Sequence, residues 1–149
     1  MSEPGKTRSV IVERELSHPP EKVWRALTQP HLIEEWLMQN DFKPVIGHRF
    51  NLRRTPKPDL NIVVDCEVLE VEPRKTLSYT WSAFDLQSIV TWTLTPTPRG
   101  THLRMEQQGF GPDHKQAQAG ATAGWITAIA KLEEILARAD GAIASEEGQ

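Results

Sequence analysis

Three polar side chains lie in phase with apolar ones and are the first candidates for chemistry: Arg14 with Val10, Val12 and Leu16, Tyr79 with Leu77 and Trp81, and Gln107 with Leu103 and Met105. An inward guanidinium without a partner is costly, so Arg14 pairs with a carboxylate, serves a polar or anionic ligand group, or snorkels out at the strand end. With Tyr79 and Gln107 it would orient a ligand carrying one oxygenated end, although no spacing rule ties the three together. Signatures of reaction chemistry are weaker. His18, His31, His48, His102 and His114 are scattered, with no pair at the helical spacing of metal ligands and no cysteine beside them, so no metal or other cofactor is expected. No glycine-rich phosphate loop follows a strand, and no Gly-x-Ser-x-Gly elbow occurs. Cys66 alternates with Ile62, Val64 and Val68 and reads as a small buried hydrophobe. Asp65, Glu67, Glu70 and Glu72 read as a solvated strand face, with Glu70, beside a bulge expected over 68 to 71, the one able to turn inward. No catalytic residue is assigned.

The apolar counterpart is aromatic. Trp24 reads as core filling, whereas Trp81, Trp92 and Trp125 either fill the core or wall a ligand pocket, since rigid aromatic surface suits both. Trp36, Phe50 and Met105 share these inward faces. In AGATAGW, residues 119 to 125, Gly120 and Gly124 each weaken a helix interior by roughly 1 kcal/mol against alanine. Paired membrane helices, a crowded crossing against a sheet, or the wall of a cavity would each need a side chain to be missing there. The candidate ligand-binding set is therefore Arg14, Trp36, Phe50, Tyr79, Trp81, Trp92, Met105, Gln107, Gly120, Gly124 and Trp125.

The elements that must position these residues follow from period and punctuation. RSVIVEREL alternates like a half-buried strand. SHPPEKVWRALTQP and PHLIEEWLM read as two short helices, with Ser17 or His18 able to cap the first and Pro30 separating them. From Val45 to Gly109 five alternating runs are separated by turn signals such as TPKPD, EPRK and TPRG, the pattern of an antiparallel meander with one apolar face. Residues 113 to 138 carry Ala121, Trp125, Ala128, Ile129, Leu132, Ile135 and Leu136 at helical steps, with Asp113 as cap and Lys131, Glu134 and Arg138 on the far side. One long helix and one apolar sheet face must then bury each other, which makes an α+β domain.

Bulk composition agrees. The chain has 149 residues, 38% hydrophobic and 25% charged, consistent with one domain over residues 8 to 139 between a disordered tail at 1 to 7 and a flexible one at 140 to 149. A formal charge of -3 without a long run of one sign disfavours nucleic acid. Lys131, Glu133 and Glu134 on the glycine-bearing helix, and the lack of a sufficiently long apolar run, remove membrane insertion. The N-terminus lacks the apolar core of a secretory signal and Cys66 is the only cysteine, so a cytoplasmic location is expected.

The order strand, two short helices, meander and long final helix resembles the helix-grip fold of the START-related, birch-pollen-allergen-like superfamily, SRPBCC. HPPEKVWRALTQPHLIEEW is similar to its opening segment, and GFGPDHKQAQAGATAGWITAIAKLEEIL to the GF and G-W signature of the subgroup of activator of heat-shock chaperone ATPase homologues. SAFDLQS departs from the pattern, being short where many relatives carry a longer hairpin. The resemblance implies a curved sheet gripping the long helix, with a cavity between them. It also implies three functions, in order: binding of a small, mostly hydrophobic molecule, in a setting of stress response; interaction with a heat-shock chaperone; and a polyketide cyclase- or dehydratase-like activity, for which Tyr79, Glu70 and Arg14 are candidates.

Overall fold

The computed structural model describes residues 8–83 and 86–147, with side chains through residue 138. Strand β1 (Arg8–Leu16) leads into α1 (Pro20–Thr28), α2 (Pro30–Trp36) and a two-residue strand β2 (Gln39–Asn40). Strands β3 (Arg49–Lys57), β4 (Leu60–Glu72), β5 (Thr76–Ala83), β6 (Leu86–Thr97) and β7 (Gly100–Phe110) follow, and α3 (Lys115–Glu147) closes the domain. The sheet order is β1-β7-β6-β5-β4-β3-β2, antiparallel throughout, so the meander from β3 to β7 receives β1 on its far edge. This is the α+β helix-grip architecture: a curved seven-stranded antiparallel sheet, two short helices after the first strand and a long C-terminal helix.

Alternation puts Leu52, Val64, Cys66, Val68, Leu77, Val90, Trp92, Leu94, Leu103 and Met105 on the inner face, each buried. From α3, Trp125, Ala128, Ile129, Leu132, Ile135 and Leu136 complete the same core. The register slips between Val68 and Glu70, a bulge that leaves Leu69 unpaired and 40% exposed and bends β4. Glu70 stays exposed across from Ser78 and does not turn inward.

Helix α1 starts on proline geometry rather than on a side-chain cap. Pro19 is the extended N-cap residue, Pro20 occupies the first turn, and neither Ser17 nor His18 caps. His18 instead accepts the Thr101 hydroxyl at its carbonyl (2.7 Å), tying the β1–α1 turn to β7. Trp36 Nε1 donates to the Ala26 carbonyl at 2.9 Å and locks α2 onto α1. At the start of α3, His114 rather than Asp113 holds the cap position: its carbonyl accepts from Gln118 N–H, and its Nδ1 meets Gly111 N–H at 2.9 Å. The α3 backbone runs to Glu147, past the helical pattern over 113 to 138, and Ala137, Ala139, Ala142 and Ala144 in this stretch are strong helix formers that offset Gly141. The tail expected at 1 to 7 lies outside the described residues, as do Phe84 and Asp85 of the shortened hairpin.

Candidate ligand cavity

The two halves of α3 differ in bulk. Leu132, Ile135 and Leu136 seal the C-terminal half against the core, whereas Ala117, Ala121, Gly124 and Ala128 form a helical stripe of small residues along the N-terminal half. Between that stripe and the sheet lies a cavity of about 600 Å³. This is within the range of about 300–1,000 Å³ common for small-molecule sites. Trp36, Leu37 and Met38 contribute from the end of α2, and Arg54, Ile62, Val64, Trp81, Ala83, Leu86 and Gln107 from the sheet. Buried Trp36, Val64, Gln107 and Trp125 make the floor, while exposed Arg54, Ala123, Gly124, Thr127 and Lys131 mark the mouth. A Cβ built on Gly124 meets nothing within 4 Å, and the same holds for Gly120. A crowded crossing therefore does not explain these glycines. Among the described residues no helix is long and apolar enough to cross a membrane.

The floor is rigid. Trp81 tilts against Trp125 with ring centroids 5.0 Å apart, Trp92 meets Trp125 edge-on at 5.5 Å, and Trp36 meets Trp92 edge-on at 5.6 Å. Trp125 Nε1 donates to Gln107 Oε1 at 2.7 Å, Gln107 Nε2 donates to Ser88 Oγ at 2.9 Å, and Ser88 Oγ donates to the Trp81 carbonyl at 2.9 Å. This chain fixes the Trp125 indole and ties the Trp81 backbone to it, and with both ends of the Gln107 amide engaged the wall is largely apolar. Among the described residues no buried side-chain polar atom lacks a partner.

Five of the sequence candidates meet at this cavity: Trp36, Trp81, Gln107, Gly124 and Trp125. The other six lie elsewhere. Trp92 and Met105 are wholly buried core, one layer beneath the lining. Tyr79 is also buried; its hydroxyl accepts from Trp92 Nε1 at 2.9 Å, and burial pushes its phenol pKa up, so it neither faces the cavity nor ionises readily. Phe50 packs edge-on against Phe42 and Tyr79 at 5.0 and 5.4 Å, away from the lining. Arg14 reaches over the edge of β1 to Glu133 of α3 (Nε–Oε1 3.8 Å) and donates to the Glu13 carbonyl, the carboxylate-pairing alternative. Gly120 is exposed and outside the lining.

Several lining residues escaped the sequence reading. Ile62 and Val64 already carried the inner-face alternation, and Arg54 continues the phase of Phe50 and Leu52, pairing across the sheet with Ile62. Lys131 was assigned to the outer side of α3; one helical turn beyond Thr127 and three residues after Ala128, it belongs to the cavity stripe. Leu37, on the apolar side of the second short helix by its spacing, and Met38 lie just past the end of α2 at Trp36.

Other chemistry is sparse. Burial pushes the Cys66 thiol up to about 12, leaving it un-ionised. A shallower depression of about 390 Å³ on the outer face holds Arg49, Asn51, Asp65 and Glu67, which satisfy one another through Asn51–Asp65 (2.6 Å) and Arg49–Glu67 (3.7 Å) contacts. Among the described residues no three His, Cys, Asp or Glu side chains converge on a metal site.

Known proteins can be compared with this geometry. Protein MLL2253 from Mesorhizobium loti is 64% identical, with TM-score 0.82, over 88% of this chain and 98% of that one. BH1534 from Bacillus halodurans is 26% identical with TM-score 0.73, over 87% and 96%. DynU16, from the dynemicin biosynthetic locus, is 25% identical with TM-score 0.74, over 86% of this chain and 46% of that one. No curated protein matches the sequence. The family model described as activator of Hsp90 ATPase homolog 1-like protein matches residues 17–137, from the turn before α1 to the last turns of the sealed half of α3. With the SRPBCC helix-grip fold around it, that match makes the chain a member of the activator of Hsp90 ATPase homolog 1-like family.

Proposed function

We propose that the protein binds a small, mostly hydrophobic molecule in the cavity between the sheet and the N-terminal half of α3. The observation that carries this reading is Gly124, whose missing side chain opens onto the cavity and not onto a packed neighbour. A helix tolerates a residue that weakens it by about 1 kcal/mol where the vacated volume has a use. The hydrogen-bonded tryptophan floor supports it further, because pre-formed apolar walls limit the ordering penalty of binding. Titration with the neutral fluorophore N-phenyl-1-naphthylamine tests the reading: saturable one-to-one binding should quench tryptophan emission and shift amide resonances around Trp81, Gly124 and Trp125. A linear, non-saturating response, or shifts confined to the outer face, would refute it.

The family description favours a second reading, docking on a heat-shock chaperone and stimulation of its ATPase. Chaperone turnover measured with this protein at saturation decides that reading, and an unchanged rate rejects it. For a cyclase- or dehydratase-like activity the described lining offers only Arg54 and Lys131 as titratable groups, whereas Tyr79, Glu70 and Arg14 all lie outside it. Binding without chemistry fits this lining better.

A further inference from the structure

The cavity is apolar inside and positively charged at its mouth. Arg54 comes from β3 and Lys131 from α3, so opposite walls each bring one cation to the same opening, and the described lining contains no carboxylate. The register explains why Arg54 is there: it faces Ile62 across the β3–β4 ladder, on the concave side. Helical phase explains Lys131, which lies on the stripe of Ala117, Gly124 and Ala128.

Nearby acids are committed elsewhere or stand off. Glu133 pairs with Arg14 and Glu35 with Arg138, while Glu134, one turn beyond Lys131, makes no ion pair with it. Among the described residues neither Arg54 nor Lys131 has an ion-pair partner, on a chain whose formal charge is -3. Two like charges over a low-dielectric wall raise the local potential and favour an anion at that point. Arginine and lysine both donate strongly to carboxylate, sulfonate or phosphate oxygens.

Building on the cavity reading above, we infer that the occupant is an amphipathic anion, its acidic head held at the mouth by Arg54 and Lys131 and its apolar body resting on Trp81 and Trp125. Deep in the site, Gln107 has both ends of its amide engaged, so the apolar end of the ligand goes inward and the charged end stays at the water boundary.

The test compares dodecanoate, 1-dodecanol and dodecylammonium, each below its aggregation limit, by displacement of N-phenyl-1-naphthylamine at pH 7.5. Dodecanoate should bind about tenfold more tightly than dodecanol, a difference of about 1.4 kcal/mol. The preference should fall to about twofold in 0.5 M salt, since both cations are exposed. Arg54→Gln with Lys131→Gln should remove the preference, so that dodecanoate and dodecanol displace the probe equally well from that variant, Lys131→Arg should keep it, and Arg54→Glu with Lys131→Glu should transfer it to dodecylammonium. These positions are exposed, and circular dichroism of each variant is the control for folding. Equal binding of dodecanoate and dodecanol, or a preference that survives the double glutamine variant, overturns the anion assignment and leaves the cavity reading standing. Displacement by none of the three overturns the anion assignment, and failure of N-phenyl-1-naphthylamine itself to bind overturns both.

Discussion

Replacing Gly124 with leucine separates the two reasons a helix keeps a glycine. Leucine is a better helix former by about 0.7 kcal/mol, and its Cβ enters open space, so no backbone need move. Partial burial of the new side chain against the cavity wall adds about 1 kcal/mol, roughly half of a fully buried leucine. The variant should therefore be more stable by about 1–2 kcal/mol, which raises the Tm of a domain of this size by roughly 2–6 °C. Binding should move the other way. Filling a shaped apolar space disfavours a guest by about 1–3 kcal/mol, so affinity for N-phenyl-1-naphthylamine should fall roughly 5- to 150-fold. Urea unfolding followed by tryptophan emission and a fluorophore titration on the same preparation measure both quantities. A loss of more than 1 kcal/mol in stability would show that the glycine serves close packing. Higher stability with unchanged affinity would place the ligand elsewhere.

The core and the cavity wall should respond differently to truncation: Trp92→Ala should cost about 3–5 kcal/mol in urea unfolding, and Trp81→Ala less than half as much but with the larger loss of fluorophore binding. Two histidines tilt the pH dependence of stability in opposite senses on either side of the ordinary imidazole value of 6.5. Hydrogen bonds to Glu13 and Glu15 (2.6 Å each) raise the pKa of His102, so its contribution is complete below 6.5 and is lost as pH rises through the raised value. Burial and then Lys22 lower that of His18, so its stability deficit appears as pH falls from 6.5 through the lowered value. In chemical denaturation at stepped pH, His102→Gln should flatten the alkaline limb and His18→Gln the acidic one; limbs unaltered by these changes would contradict the assignment. Cys66 should resist iodoacetamide in the native protein and react fully in 6 M guanidinium, as judged by intact mass, and rapid native labelling would disprove its burial.

Period and punctuation made the strands legible, because each strand of the meander buries one face, and alternation reports that directly. The site was half legible for a related reason. Trp81 and Gln107 on alternating strands, and Gly124 and Trp125 on the helix, could be placed on inward faces. Pattern does not distinguish the layer that touches a cavity from the layer below it, so Trp92 and Met105 read the same way as Trp81. Arg14 shows another limit: an inward phase at an edge strand does not fix where a long flexible side chain ends, and Glu133 captures it. Charge gave no sign of the cavity at Lys131, which is exposed like ordinary surface and also borders the stripe of small residues. Phe42, buried in an irregular segment, had no period to reveal it.

The pairing of β1 with β7 bears on how the chain is made. Arg8 lies opposite Phe110, so the earliest strand of the domain emerges from the ribosome about a hundred residues before the strand that receives it. At roughly 5–20 residues per second, it waits about 5–20 s before the strand that pairs with it and covers Val10, Val12 and Leu16 is made. Closure brings α3, the final element of the domain, against β1 and β7, so the apolar space beneath the helix takes shape only when synthesis of the domain is nearly complete. A hydrophobic guest present at that moment would be enclosed during assembly instead of threading into a finished shell.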